Sequence, residues 1–239
     1  MGSVDWTDYD AVLFDLDGVL TPTAQIHRTA WAEMFDAFLA GRDEPPFTDA
    51  DYFAHVDGRP RVDGVREFLA SRGITLPEGT PEDGEDAETV NGLGNRKNAA
   101  FNAVLTRDGV AAYPGSQRLL DALRRRGTAL AVVSSSRNAR PVLDAAGITE
   151  DFGCIVDGTT AAAEQLAGKP EPDTFLRAAS LLGVEPARAV VVEDATSGVA
   201  AGAAGRFGLV IGVDRGAGAD ALTEAGADLV VTDLDEVLP

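Results

Sequence analysis

The chain of 239 residues is poor in cysteine, histidine and positive charge: one Cys, two His, and 20 Lys and Arg set against 39 Asp and Glu. A lone Cys154 cannot close an intrachain disulfide, so a reducing, cytoplasmic setting is expected and Cys154 itself reads as buried filler. No apolar run approaches the roughly 20 residues that cross a bilayer, and Met1 to Asp10 is acidic where a secretory leader would be basic. Neither a membrane partner nor secretion is expected. A formal net charge of -19 repels nucleic acid, and the one basic cluster, Arg124 to Arg126, closes a helical pattern where cations complement the helix dipole. Nucleic acid is therefore not an expected partner either. No Gly-x-Gly-x-x-Gly follows the first strand, which argues against a dinucleotide-binding domain. Length and a hydrophobic fraction of 45% allow one large domain or two modest ones, and a monomer is expected.

Against this background the stretch Ala11 to Thr21 stands out. An apolar run of strand length ends at Asp15, a second carboxylate follows at Asp17, and Gly18 lets the backbone leave in a tight turn. In an open parallel sheet, ligands sit outside the carboxyl ends of the strands. Asp15 could therefore attack phosphorus as a nucleophile while Asp17 carries the proton. The same pair would also suit a metal or helix-cap role in a phospho-receiver module.

Helical spacing follows over Ala24 to Ala40, with Ile26, Ala30, Met34, Phe38 and Trp31, Phe35, Leu39 on the apolar stripe. Further helices are expected over Arg61 to Arg72 and from about Asp86 or Glu88 through Leu105, separated by acidic loops at Gly41 to Asp49 and Pro77 to Glu88. No strand pattern occurs between Thr23 and Arg107. From Gly109 onward helices and strands alternate, with strands expected at Ala129 to Ser134, Cys154 to Asp157, Ala189 to Glu193, Leu209 to Val213 and Asp228 to Val231. That alternation predicts an α/β fold: a Rossmann-like parallel sheet with helices on both faces, plus an all-helical cap inserted after the first strand. The expected boundaries are 1–22 with 109–239 for the core and 23–108 for the cap.

Three more strand ends carry polar residues. Ser134-Ser-Ser-Arg-Asn138 offers hydroxyls and backbone N–H groups to phosphate oxygens, although Ser134 could equally be a plain helix cap. Lys169 in Gly168-Lys-Pro170 could neutralise phosphate or the nucleophile. Glu193 and Asp194 end an apolar strand and would crowd negative charge beside Asp15 and Asp17, a crowding that Mg²⁺ relieves with oxygen ligands.

In this order and spacing, Asp15-x-Asp17, Ser134, Lys169 and Glu193-Asp194 resemble the haloacid dehalogenase superfamily of phosphotransferases. Asp15-Leu-Asp-Gly-Val-Leu-Thr-Pro-Thr-Ala with His27 and Trp31, Asn95-Arg-Lys-Asn98, Tyr113-Pro-Gly115 and Ser134-Ser-Ser-Arg-Asn138 are most similar to its β-phosphoglucomutase branch. The resemblance implies that Asp15 is nucleophile and metal ligand and that Asp17 is acid/base and offers its carbonyl to the metal. Ser134 and Lys169 would bind the transferring phosphoryl group, and Glu193 and Asp194 would complete the Mg²⁺ site. It further implies that Arg61 takes a second phosphate and that His27 couples the cap to Asp17. Trp31, Lys97, Asn98, Ser136, Arg137 and Asn138 would face a small phosphorylated sugar. The implied activity is conversion of β-glucose 1-phosphate to glucose 6-phosphate primed by glucose 1,6-bisphosphate, with a sugar-phosphate phosphatase as the alternative. Pro22 stands where many relatives have Asp, Arg137 where the mutases usually have Lys, and Asp57 to Gly64 lacks the serine that commonly precedes the cap arginine.

Overall fold

Every strand of the sheet is short and, apart from Glu193 at the end of one, apolar, and the first of them, β1 (Ala11–Phe14), is buried along its whole length. The computed structural model describes residues 4–239, so the first three residues of the expected core segment lie outside the described residues. The chain divides into two units, one formed by the chain up to Pro22 with Val110–Pro239, the other by Thr23–Gly109.

The second unit follows β1 with α1 (Thr23–Leu39), α2 (Asp49–Asp51) running into a π-helical turn (Tyr52–Val56), α3 (Arg61–Ser71) and α4 (Val90–Asp108). Its elements among the described residues are all helical. Trp31, Phe35, Phe38 and Leu39 of α1 pack with Phe47, Tyr52, Val65, Phe68 and Leu93 into a core of its own. Phe35 lies at its centre, with ring centroids 4.1 Å from Phe68 and 5.1 Å from Phe47. Spacings of three and four residues put these α1 side chains on one face, as the sequence pattern requires. Helix α4 starts two to four residues later than expected because Thr89 caps it, its hydroxyl accepting from the Gly92 N–H. Residues before it are fastened as loop instead, with the Val90 N–H donating to Pro77 O and the Asn91 N–H to Glu78 O.

The first unit resumes with α5 (Pro114–Arg126), which has Pro at its first position and Gly127 in the left-handed conformation at its end. Then come β2 (Ala129–Val133), α6 (Ala139–Ala146), β3 (Cys154–Val156), α7 (Gly158–Glu164), α8 (Asp173–Leu182) and β4 (Ala189–Glu193). Helix α9 (Thr196–Ala204), β5 (Leu209–Val213), α10 (Ala219–Glu224) and β6 (Leu229–Val231) complete it. Helices α7 and α10 and the π-helical turn were not expected from the sequence. Cys154 is half-buried rather than buried, its thiol 3.8 Å from Ala178 O.

All six strands are parallel, in the order β3-β2-β1-β4-β5-β6. Crossovers leave β1 in opposite directions along the sheet, which opens a crevice at the carboxyl edge beside it. Phe14 pairs with Val132 on one side and Val192 on the other. One residue further on, the register brings Asp15 level with the ends of β2 and β4.

Candidate active site

Asp15 leaves β1 with its N–H still donating to Val192 O at 2.9 Å, so its backbone is held by the sheet. Its carboxylate accepts a hydrogen bond from Lys169 Nζ at 2.5 Å. The same ammonium donates to Glu193 Oε1 at 2.6 Å and to Val133 O at 3.1 Å, and it lies 5.0 Å from the ring centroid of Phe175. Three acceptors match the three protons of an ammonium. The other oxygen of Glu193 accepts from the Asp194 and Ala195 N–H groups, both at 2.8 Å. Both oxygens of Glu193 are thus engaged, and it fixes Lys169 on one side and the turn after β4 on the other.

Asp15, Lys169, Glu193 and Asp194 are all buried. Burial pushes the Asp15 carboxyl well above the usual carboxylate range, Lys169 opposes this, and Glu193 and Asp17 add to it. Burial works against the charge on Lys169, but Asp15 and Glu193 outweigh it and raise the ammonium above its ordinary value. Lys169 therefore stays cationic, the compensating charge of a carboxylate cluster. Asp15, Glu193 and Asp194 also offer carboxylate oxygens within 4.8 Å of one another. A buried all-oxygen set of this kind fits a hard divalent cation rather than zinc.

Asp17 is half-buried, and Ser134 Oγ lies 3.4 Å from its Oδ2. Ser134 also accepts from the Ser136 N–H at 3.1 Å, and Ser136 Oγ accepts from the Asn138 N–H at 3.1 Å. The Ser134–Asn138 loop is thus a staircase of side-chain-to-backbone turns that leads into α6, with Arg137 exposed on it.

The remaining candidates lie in the helical unit. Lys97 is buried there; its ammonium is hydrogen-bonded to His27 Nδ1 and lies 5.1 Å from the centroid of Trp31 and 5.2 Å from that of Phe101. His27 stacks on Phe101 at 4.0 Å. Arg61 Nη2 is 3.4 Å from Asn95 Oδ1, and Asn98 is half-buried one residue beyond Lys97. The structure therefore gathers Asp15, Asp17, Ser134, Lys169, Glu193 and Asp194 into one cluster, and His27, Trp31 and Lys97 into another.

Two glycines that the sequence reading did not weigh as packing sites hold this geometry. Gly18 has φ +93°, and a Cβ there would overlap the Asp194 carboxylate. A Cβ on Gly198, in α9, would overlap the Glu193 carboxylate. Gly198→Ala is expected to displace Glu193 from Lys169, at a stability cost of about 1–3 kcal/mol. Turnover should fall by at least about tenfold. Steady-state turnover together with thermal melting checks this, and values matching those of the parent protein would contradict it.

A family model for haloacid dehalogenase-like hydrolases matches residues 9–206. The chain belongs to that family. It is 53% identical over 238 residues to the β-phosphoglucomutase of Mycobacterium bovis, covering 95% of this chain and 91% of the relative. It is also 32% identical to the validoxylamine A 7'-phosphate phosphatase of Streptomyces hygroscopicus subsp. limoneus, over 96% of both chains. Among solved structures, a β-phosphoglucomutase from Clostridium difficile superposes with a TM-score of 0.75 at 25% identity, over 95% of this chain and 92% of that one. Family membership makes this chain a phosphotransferase or phosphohydrolase by class and directs attention to the strand-end cluster.

Proposed function

We propose that the protein is a Mg²⁺-dependent phosphomutase that carries a phosphoryl group on Asp15 and converts β-glucose 1-phosphate to glucose 6-phosphate through glucose 1,6-bisphosphate. The observation that carries the chemistry is the Asp15 carboxylate held 2.5 Å from Lys169 Nζ at the end of β1. The choice of sugar rests on the relatives named above. Mg²⁺, held by Asp15, Glu193 and Asp194 with the Asp17 carbonyl, would supply positive charge for the phosphoryl oxygens. Glu193 also orients Lys169 and the Asp194 backbone.

In the reaction, an Asp15 carboxylate oxygen bonds to phosphorus as the bond from phosphorus to the sugar oxygen breaks. Asp17 gives its proton to that departing oxygen and takes one from the sugar hydroxyl that next attacks the same phosphorus, whose bond to Asp15 then breaks to restore the carboxylate. Lys169 and Ser134 hold the phosphoryl oxygens as charge shifts between nucleophile and leaving group. In the cap, Arg61 takes the phosphate that is not being transferred. His27, Trp31, Lys97 and Asn98, together with Ser136, Arg137 and Asn138 of the core loop, select the sugar. The protein acts as a cytoplasmic monomer on this small substrate.

A phosphatase is the second reading, favoured by the validoxylamine A 7'-phosphate phosphatase among the relatives. The two differ only in whether a sugar hydroxyl or water accepts the phosphoryl group from Asp15. Phosphorus NMR with Mg²⁺, β-glucose 1-phosphate and a trace of glucose 1,6-bisphosphate separates them. Glucose 6-phosphate with little free phosphate is the expected result. Free phosphate as the main product would overturn the mutase in favour of the phosphatase.

A further inference from the structure

Arg215 follows β5 and plays no part in the chemistry described above, yet its side chain reaches back to the turn that carries Asp17. Its Nε donates to Gly18 O at 3.0 Å and its Nη1 donates to Thr232 O at 3.0 Å. The guanidinium lies 4.1 Å from the ring centroid of Tyr113, whose own N–H donates to Leu20 O at 2.9 Å. One planar fork therefore ties together the turn after β1, the segment entering α5 and the segment after β6. Lysine has no such fork.

The turn itself is closed from within. Gly18 N–H donates to Thr21 O at 2.8 Å, and Leu20 and Thr21 N–H both donate to Leu16 O at 3.0 Å. Ser116 Oγ donates to Val19 O at 2.6 Å from the α5 side. Because a trans peptide is planar, the Gly18 N–H bond to Thr21 turns the Asp17 carbonyl the opposite way. Arg215 then holds the next peptide by its oxygen. Gly18 is thus fixed on both sides, and with it the direction in which Asp17 leaves the strand.

Stability alone does not account for this residue. Arg215 Nη2 is buried with no hydrogen-bond partner among the described residues, and an unsatisfied buried donor costs free energy that an apolar side chain stacked on Tyr113 would not. We propose that Arg215 is a positioning residue for phosphoryl transfer, holding the Asp17–Thr21 turn in its reactive geometry from the β5 end. The inference rests on the reading of Asp15 and Asp17 as the phosphotransfer pair.

The test compares the parent protein with Arg215→Ala, Arg215→Gln, Asp15→Asn and, as a surface control, Arg118→Ala, whose side chain pairs with Asp235 in the open. The substrate is p-nitrophenyl phosphate with Mg²⁺, which leaves the choice of sugar out of the result. Arg215→Ala should lose about 10–100-fold in kcat with KM changed by less than about threefold, the loss that a misplacement of about 1 Å brings. Millimolar methylguanidinium should return part of that activity, and Arg215→Gln, which keeps the stem and one donor, should fall between the two. In the metal-free protein, hydrogen exchange across residues 16–21 should quicken in Arg215→Ala while β1 stays protected. Parent-like kcat and exchange in both Arg215 variants, with Asp15→Asn inactive, would overturn the positioning role alone. A loss that methylguanidinium does not relieve, in a variant whose β1 also exchanges faster, would make Arg215 a merely structural residue and overturn it too. Activity retained in Asp15→Asn would overturn the phosphotransfer reading and this inference with it.

Discussion

Asp15→Asn is expected to lower phosphoryl transfer by more than about 10⁴-fold while leaving the fold intact, as removal of a covalent nucleophile does elsewhere. The amide keeps the shape of the carboxyl group but has no anionic oxygen to bond to phosphorus. Glu193 is not free to take over the role, since it has one oxygen on Lys169 and the other on two backbone N–H groups. Asp15 is also a carboxyl that burial pushes up, beside Glu193 and Asp17. Asn removes that repulsion, so the melting temperature of the metal-free variant should equal or exceed that of the parent. Steady-state turnover together with thermal melting checks both halves. Turnover within tenfold of the parent would remove Asp15 from the mechanism.

The second large effect belongs to Lys169. Lys169→Met keeps the length of the stem and its packing on Phe175 but withdraws the ammonium from Asp15, Glu193 and Val133 O. Removing one partner of a buried ion pair leaves its carboxylates uncompensated, which costs about 3–5 kcal/mol. The cost depends on pH. Asp15 already has a raised carboxyl in the parent protein, and without Lys169, the one influence that lowers it strongly, it rises further. Between the unfolded carboxylate value and that raised folded value, the native state holds more protons than the unfolded chain. The variant should therefore regain stability as pH falls through this window and lose it as pH rises. Transfer activity should drop by about 10²–10³-fold, the scale of losing one preorganised charge at a transition state. Denaturant melts at pH 5 and pH 8 read the sign directly. A variant equally stable at both, or as active as the parent, would show that Lys169 is not the compensating charge of the cluster.

Much of this site is legible in the chain because its residues terminate apolar runs. Asp15 and Ser134 each follow a buried strand and Glu193 ends one, and parallel registry then brings three strand ends together at one edge. The helical pattern of α1 was equally plain, since its aromatic residues recur at intervals of three and four. What the sequence hid depends on contacts between distant segments. Gly198 is one small residue in an Ala- and Gly-rich helix until the Glu193 carboxylate is seen against it. Arg215 is one arginine in an acidic chain until its reach to Gly18 O is measured. The raised Asp15 carboxyl follows from burial and neighbouring carboxylates that no local pattern encodes. Helix α7 is seven residues long and begins from Asp157, whose side chain accepts from the Thr159 and Thr160 N–H groups. A single capping aspartate before so short a segment is a weak signal beside the long stripes of α1 and α5. The π-helical turn at Tyr52–Val56 has no characteristic sequence period at all.

The most direct measurement traps the phosphoryl group on the protein. After a brief incubation with glucose 1,6-bisphosphate and Mg²⁺, acid quenching and borohydride reduction convert an acyl phosphate on aspartate into homoserine, which peptide mass spectrometry locates by residue. Homoserine at position 15, and unchanged aspartate at position 17, is the result expected here. Phosphate found on Ser134 or any other side chain, with Asp15 unmodified under turnover conditions, would contradict the central role given to Asp15.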